Sequence, residues 1–270
     1  MRVQLFVTCL VDLLQPGVGE RTVALLERLG CEVAFPADQT CCGQPAMNSG
    51  YPADARRVAD HWLDTFSQTE GPIVAPFGSC VHMVRHGYRR LYAEDPVRLA
   101  AADELAARTF DLATFVVQEL GRPEVGGRYP GADAPADADA PADADTPADA
   151  DTPAGAGAAV AYHHECHMLR GLGSSQPPLS LLEGVAGCTI VHPERADLCC
   201  GFGGTFALKL PAVSTAMADE KLDRAMEVGA DAIVSTDVGC LMHLEGRARR
   251  RGLDLRIHHL VDLLEPDGAL

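Results

Sequence analysis

The sequence predicts an α/β protein of two homologous domains, each a small parallel sheet flanked by helices, with cysteine-bearing loops at the carboxyl ends of the strands. Three observations carry this expectation. Short apolar runs rich in β-formers alternate with helical patterns, and the same ordered set of segments occurs twice. Between the two occurrences lies a Pro/Ala/Asp tract without a single large apolar side chain.

In the first half Val3–Thr8, Glu32–Phe35 and Ile73–Pro76 are the strand candidates. The opening MRVQLFVTCLVDLLQPG holds an Arg, a Gln and an Asp within its apolar run and no small-residue cleavage site, so it reads as a first strand and not a signal peptide. Leu25, Leu26 and Leu29 mark one helical face; Val58, Ala59, Trp62, Leu63 and Phe66 mark another. The second half supplies Val160–Tyr162, Thr189–Val191 and Ile233–Ser235 as equivalent strands, and Pro211 and Gly229 bracket a long helix. Each half closes on a strand-to-helix segment, Phe110–Leu120 and Ile257–Leu264. The domains are expected at 1–128 and 159–270, with 129–158 a disordered, solvated linker.

The net charge is −16, from 38 acidic and 22 basic residues, and seven of the acidic ones fall between Gly131 and Gly157. Such a balance argues against a nucleic-acid binder, which needs a basic face to replace counterions on phosphate. No apolar run approaches the roughly 18 residues of a membrane span, so no segment is expected to cross a membrane. Arg247, Arg249, Arg250 and Arg251 form a basic run that suits a solvated helix face or a docking site for an acidic partner. No G-x-G-x-x-G follows the first strand, which argues against a nucleotide cofactor bound by this chain.

Ten cysteines are the informative feature. Eight keep register between the halves: Cys9, Cys41, Cys42 and Cys80 in the first, Cys166, Cys199, Cys200 and Cys240 in the second. The intervening lengths are 31 and 37 residues, then 32 and 39. In an open parallel sheet the loops beyond the strand carboxyl ends converge on one crevice, so each half gathers four thiols at one edge. Four thiolates from three loops suit an iron–sulfur cluster, a zinc ion in at least one half, or metal-free thiol–disulfide redox chemistry. The vicinal pairs and the lack of any C-x-x-C favour the cluster over zinc. Cys31 and Cys188 open the second strand of each half among apolar residues and read as structural thiols.

The segments Phe35–Tyr51, with Cys41-Cys42-Gly43 at their centre, His163–Arg170, Cys199–Phe206 and Gly239–His243 resemble the cysteine-rich CCG domain of heterodisulfide reductases and of glycolate oxidase iron–sulfur subunits. They are most similar to the lactate utilization protein A family, over essentially the whole chain apart from the linker. The resemblance implies an iron–sulfur, electron-transferring oxidoreductase subunit of a system that oxidises L-lactate to pyruvate. It also implies two partner proteins, one of them ferredoxin-like. The eight register cysteines would ligate up to two clusters of the [4Fe–4S] type. The heterodisulfide reductase pattern ends each repeat in C-x-x-C, whereas Met83 and His243 stand there in this chain, and His243 is a possible additional ligand. A histidine among His163, His164 and His167 could take the hydroxyl proton of lactate, with Arg170 holding its carboxylate. Hydrogen bonding to a cluster is the plainer role for these histidines. Asp237 and Gln44 sit near the cysteine loops as turn caps, and His258 and His259 as packing residues.

Overall fold

The computed structural model describes residues 1–130 and 157–265. The expected linker at 129–158 therefore falls almost wholly outside the described residues. Two four-stranded parallel sheets are present. The first comprises β1 (Arg2–Leu5), β2 (Glu32–Ala34), β3 (Ile73–Ala75) and β4 (Thr109–Asp111) in the order β2-β1-β3-β4. The second comprises β5 (Ala158–Tyr162), β6 (Cys188–Val191), β7 (Ala232–Ser235) and β8 (Arg256–His259) in the order β6-β5-β7-β8. The expected α/β class and repeat are thus observed, down to register: Gln4 faces Ile73 across β1 and β3, and Ala161 faces Ile233 across β5 and β7.

The closing segments supply a fourth strand in each sheet, β4 and β8, and each strand ends on a polar helix cap. The Asp111 carboxylate accepts the Thr114 N–H at 2.9 Å, and His259 Nδ1 accepts the Val261 N–H at 3.2 Å. The first strand is shorter than its apolar run suggests. It stops at Leu5, and Cys9 opens a short helix, Cys9–Leu14. Thr8, with φ 72°, makes the sharp exit between them. A β-branched residue in that conformation is an outlier that the surrounding packing has to impose.

Helical periodicity is realised in Pro16–Arg28 and Pro52–Phe66, which bury the leucine and aromatic faces read from the sequence. Trp62 is fully buried, stacked on Phe66 at a 4.5 Å centroid distance and met edge-on by Phe6 at 5.4 Å and Tyr88 at 5.6 Å. Such aromatic pairs add about 0.5–1.5 kcal/mol each beyond the area they bury. One apolar cluster runs through both halves, joining Val3, Phe6 and Trp62 to Val160, Leu181 and Leu260.

The halves are also stitched by polar contacts. Arg28 donates to Glu265 Oε2 at 2.6 Å and to the carbonyls of Val125 and Leu264, each at 2.9 Å. Residues leaving the first half pack along the second: the Tyr129 N–H bonds the Ala186 carbonyl at 2.9 Å, and Arg256 lies over the Tyr129 ring. A Cβ on Gly78 would come within 2.5 Å of Glu165 Oε1 and of Met168 Cγ, so the backbone beside Cys80 touches the loop of Cys166. The two sheets thereby turn their cysteine edges towards each other.

Trp62 is the sole tryptophan, which makes its fluorescence a clean reporter of the first half. Phe66→Ala removes the stacked ring and is expected to cost about 3–5 kcal/mol, measured as a lowered urea midpoint of Trp62 emission.

Candidate functional site

Each half builds its cysteine cradle from the same parts. Cys9 lies in the first turn of the helix after β1, Cys41 and Cys42 lie in the loop after β2, and Cys80 lies in the short helix Gly78–His82 after β3. Cys166, Cys199, Cys200 and Cys240 occupy the corresponding places, the last in the first turn of Val238–Arg251. Cys80 and Cys240 therefore lie inside helix starts. Among the sulfurs, Cys9 and Cys41 are 3.4 Å apart, Cys42 and Cys80 3.3 Å, and Cys200 and Cys240 2.9 Å. Cys42, Cys80, Cys200 and Cys240 are buried, and the other four are partly exposed.

The glycine of each Cys-Cys-Gly has a physical reason. Gly43 and Gly201 have φ of 85° and 88°, a region that favours glycine. A Cβ on Gly43 would stand 2.9 Å from the Ala55 carbonyl oxygen, and one on Gly201 would stand 2.5 Å from that of Ser214. The resulting turn aims the Gly43 N–H at Cys41 Sγ and the Gly201 N–H at Cys199 Sγ, both at 3.4 Å.

These contacts distribute charge unevenly. Hydrogen bonds from Cys42 and Cys9, joined by the Gly43 N–H, hold the Cys41 thiol well below the ordinary range. Cys166, Cys200 and the Gly201 N–H do the same for Cys199. Their donors go the other way: Cys9 and Cys42 are raised by bonding to Cys41 and by burial, and Cys166 and Cys200 by bonding to Cys199 and by burial. Cys80 and Cys240 accept from Cys42 and Cys200, but burial and nearby negative charge carry them up. These contacts favour the charge on Cys41 and on Cys199 and the protons on their neighbours. A thiophilic metal centre replaces those protons, as thiolate ligation requires. Eight sulfur donors, four of them buried, beside backbone N–H donors, fit such a centre.

Both cradles open on one cavity of about 250 Å³, lined by all eight register cysteines. Gln44, Ser79, Glu165, His167 and Asp237 supply its polar wall. Asp237 caps the Cys240 helix by accepting the Cys240 N–H at 2.9 Å, and its other oxygen accepts the Ser79 hydroxyl. A hydrogen-bonded path thus leads from Cys80, through its neighbour Ser79 and Asp237, to Cys240. Glu165 accepts from Thr236 at 2.7 Å, and burial, with Asp237 beside it, holds the carboxyl well above the usual range. Ser79 and Glu165 were not singled out from the sequence, where the only signal is their position beside Cys80 and Cys166.

The remaining candidates separate. Gln44 donates to the Ser79 carbonyl at 3.2 Å and approaches His167 Nε2 at 3.4 Å, so both reach the cavity. His164 packs edge-on against Tyr162, and His163 is buried. Arg170 is turned to Asp197, bonding its carboxylate at 2.9 Å and its carbonyl at 3.0 Å, and is not among the cavity residues. His243 Nε2 is 3.1 Å from Ser214 Oγ and is likewise outside the cavity lining. His259 reaches across to the Pro76 carbonyl at 3.0 Å, and His258 meets Tyr129 edge-on. Arg247 and Arg251 pair with Asp219, and Arg249 with Glu245, so much of the basic run is neutralised on the spot.

Gly43→Ala and Gly201→Ala are each expected to cost more than the roughly 1 kcal/mol of a glycine replaced in an ordinary position, because backbone oxygens block the methyl. Thermal melts check this, and metal analysis of each variant should show the loss confined to one half. A second expectation concerns acid. Burial, together with His167 and His86, pushes His82 down from 6.5 to about 4, and its ring packs against Gly171 across the two halves. The unfolded chain then binds the extra proton, so stability should fall as pH drops from 6.5 towards about 4. Urea midpoints across that window should fall less steeply in His82→Gln.

Comparison with known proteins agrees with this architecture. The family model described as a cysteine-rich domain, CCG, matches residues 3–85 and again 160–245. Lactate utilization protein A of an Exiguobacterium species is 42% identical, with 97% of this chain and 96% of the relative covered. The Halalkalibacterium halodurans protein of that name is also 42% identical, over 98% of this chain and 96% of its own length. Lactate utilization protein A 1 of Bacillus cereus is 39% identical, with 98% of each chain covered. With its two CCG repeats and full-length similarity, this chain belongs to the lactate utilization protein A family.

Proposed function

We propose that this chain is the iron–sulfur, electron-transferring subunit of a system that oxidises L-lactate to pyruvate, so that lactate serves as a carbon source. The observation that carries this reading is the convergence of two cysteine cradles on one cavity. Cys9, Cys41, Cys42 and Cys80 would hold one [4Fe–4S] cluster, and Cys166, Cys199, Cys200 and Cys240 the other. Such clusters supply one-electron redox chemistry, with potentials set by burial and hydrogen bonds to sulfur.

The chain's own residues account for the rest. The Gly43 and Gly201 N–H groups stabilise negative charge on sulfur. Asp237 joins the two cradles through Ser79 and the Cys240 N–H. Glu165, its carboxyl held well above the usual range by burial and by Asp237, lies in the cavity wall. The apolar walls from Phe77 and Phe202 limit water. The family resemblance supplies the two partner proteins, one ferredoxin-like, and a cytoplasmic setting. No helix among the described residues is long and apolar enough to cross a membrane. A subunit resembling heterodisulfide reductase would need a fifth thiol near each cradle. Met83 instead packs its sulfur towards Gly87, and His243 faces Ser214.

Anaerobic purification followed by iron, sulfide and zinc analysis tests the proposal. Iron and sulfide in equal amounts are expected, and Cys42→Ser and Cys200→Ser should each remove the cluster of one half. Zinc without iron, or iron retained in the double variant, would refute it.

A further inference from the structure

The two cradles differ in what backs them. Behind the first stands the aromatic cluster: Phe6 lies three residues before Cys9, and Trp62 lies seven residues after Ala55, which packs on Gly43. At the matching places of the second half stand His163, three residues before Cys166, and Lys221, seven after Ser214, which packs on Gly201. A pair of rings 5.4 Å apart in one domain is thus replaced by an imidazole and an ammonium in the other.

Lys221 is 5% exposed and donates to the Ala196 carbonyl at 2.5 Å, which accounts for its burial. His163 has no such account. It is 1% exposed, and neither ring nitrogen has a hydrogen-bond partner. Burial strips both nitrogens of water and gives nothing in return. The Phe6 position shows that the fold accommodates an apolar ring there. A ring nitrogen of His163 and the sulfurs of Cys200 and Cys240 all lie within 4.8 Å of one another.

We infer that His163 is a ligand of the metal centre in the second half, beside Cys200 and Cys240, so that the two centres of this protein are chemically unlike. The inference rests on the reading of the cysteine cradles as metal centres. It extends that reading by giving the second centre a mixed nitrogen and sulfur donor set and leaving the first all-thiolate. Neutral imidazole is a common ligand for the metals that bind thiolate. It brings no negative charge, whereas a thiolate does.

Cobalt(II) loaded onto the metal-free full-length chain provides the test, read by proton NMR of protein carrying ¹⁵N-histidine. An imidazole bound to cobalt shows a strongly downfield, solvent-exchangeable N–H signal coupled to ¹⁵N, which an all-thiolate site lacks. The wild-type chain is expected to show this signal. It should disappear in His163→Phe, which copies the first half, and persist in His167→Phe and His243→Phe. A wild-type spectrum without the signal would overturn the inference, as would its survival in His163→Phe. If that variant fails to fold, His163→Gln and the wild-type spectrum decide by the same criteria. The outcome is separable from the iron analysis. Zinc without iron would sink the electron-transfer reading and leave the imidazole ligand standing, whereas iron without the imidazole signal would do the reverse.

Discussion

Eight thiols brought together at two strand edges cannot all be ionised without a cation, and the rest of the structure depends on that constraint. Sulfurs 2.9–3.4 Å apart in largely buried cradles repel strongly as thiolates. The protein's own donors support about one negative charge in each half, on Cys41 and on Cys199, through neighbouring thiols and a glycine N–H. The left-handed glycine, its close packing on the next helix and the helix starts at Cys80 and Cys240 all serve the same local electrostatics.

Closing the two cradles against each other turns a pair of repeats into a single site. The contact is tight: glycine is required at Gly78 and Gly171 because Glu165, Met168 and His82 occupy the space a side chain would need. It is also polar where it matters, since Ser79 meets Asp237 and His259 meets the Pro76 carbonyl. Such a joint holds the two cradles against one cavity. The partly buried His82 and His167, with the exposed His86 beside His82, make it sensitive to acid.

Duplication has preserved the ligand geometry and released what surrounds it. The first domain carries the aromatic cluster of Phe6, Trp62, Phe66 and Tyr88, which makes it the better packed. In the second, His163, Glu165, Lys221 and Asp237 are all buried. Buried polar groups of this kind lower stability unless they are partnered. Their concentration in one half marks it as the chemically specialised one.

The cysteine register, the parallel α/β repeat and the helical faces around Leu25 and Trp62 were legible in the sequence, because each rests on local spacing or on a period that survives without coordinates. The short first strand was not, since nothing in the apolar run Val3–Val7 announces that Thr8 takes a left-handed turn. Nor was the separation of the histidines and Arg170. His167 enters the cavity, while His243 turns to Ser214 and Arg170 to Asp197, and partner choice among neighbouring polar groups depends on backbone directions set far away in the chain. By itself the sequence determined that there are two cradles of four thiols and which residues form them. Only the tertiary structure decided that they share one cavity, that Ser79 and Asp237 link them, and that His163 is left buried with no partner. Spacing along a strand specifies what a loop carries, but which loops face one another is decided by how two sheets pack.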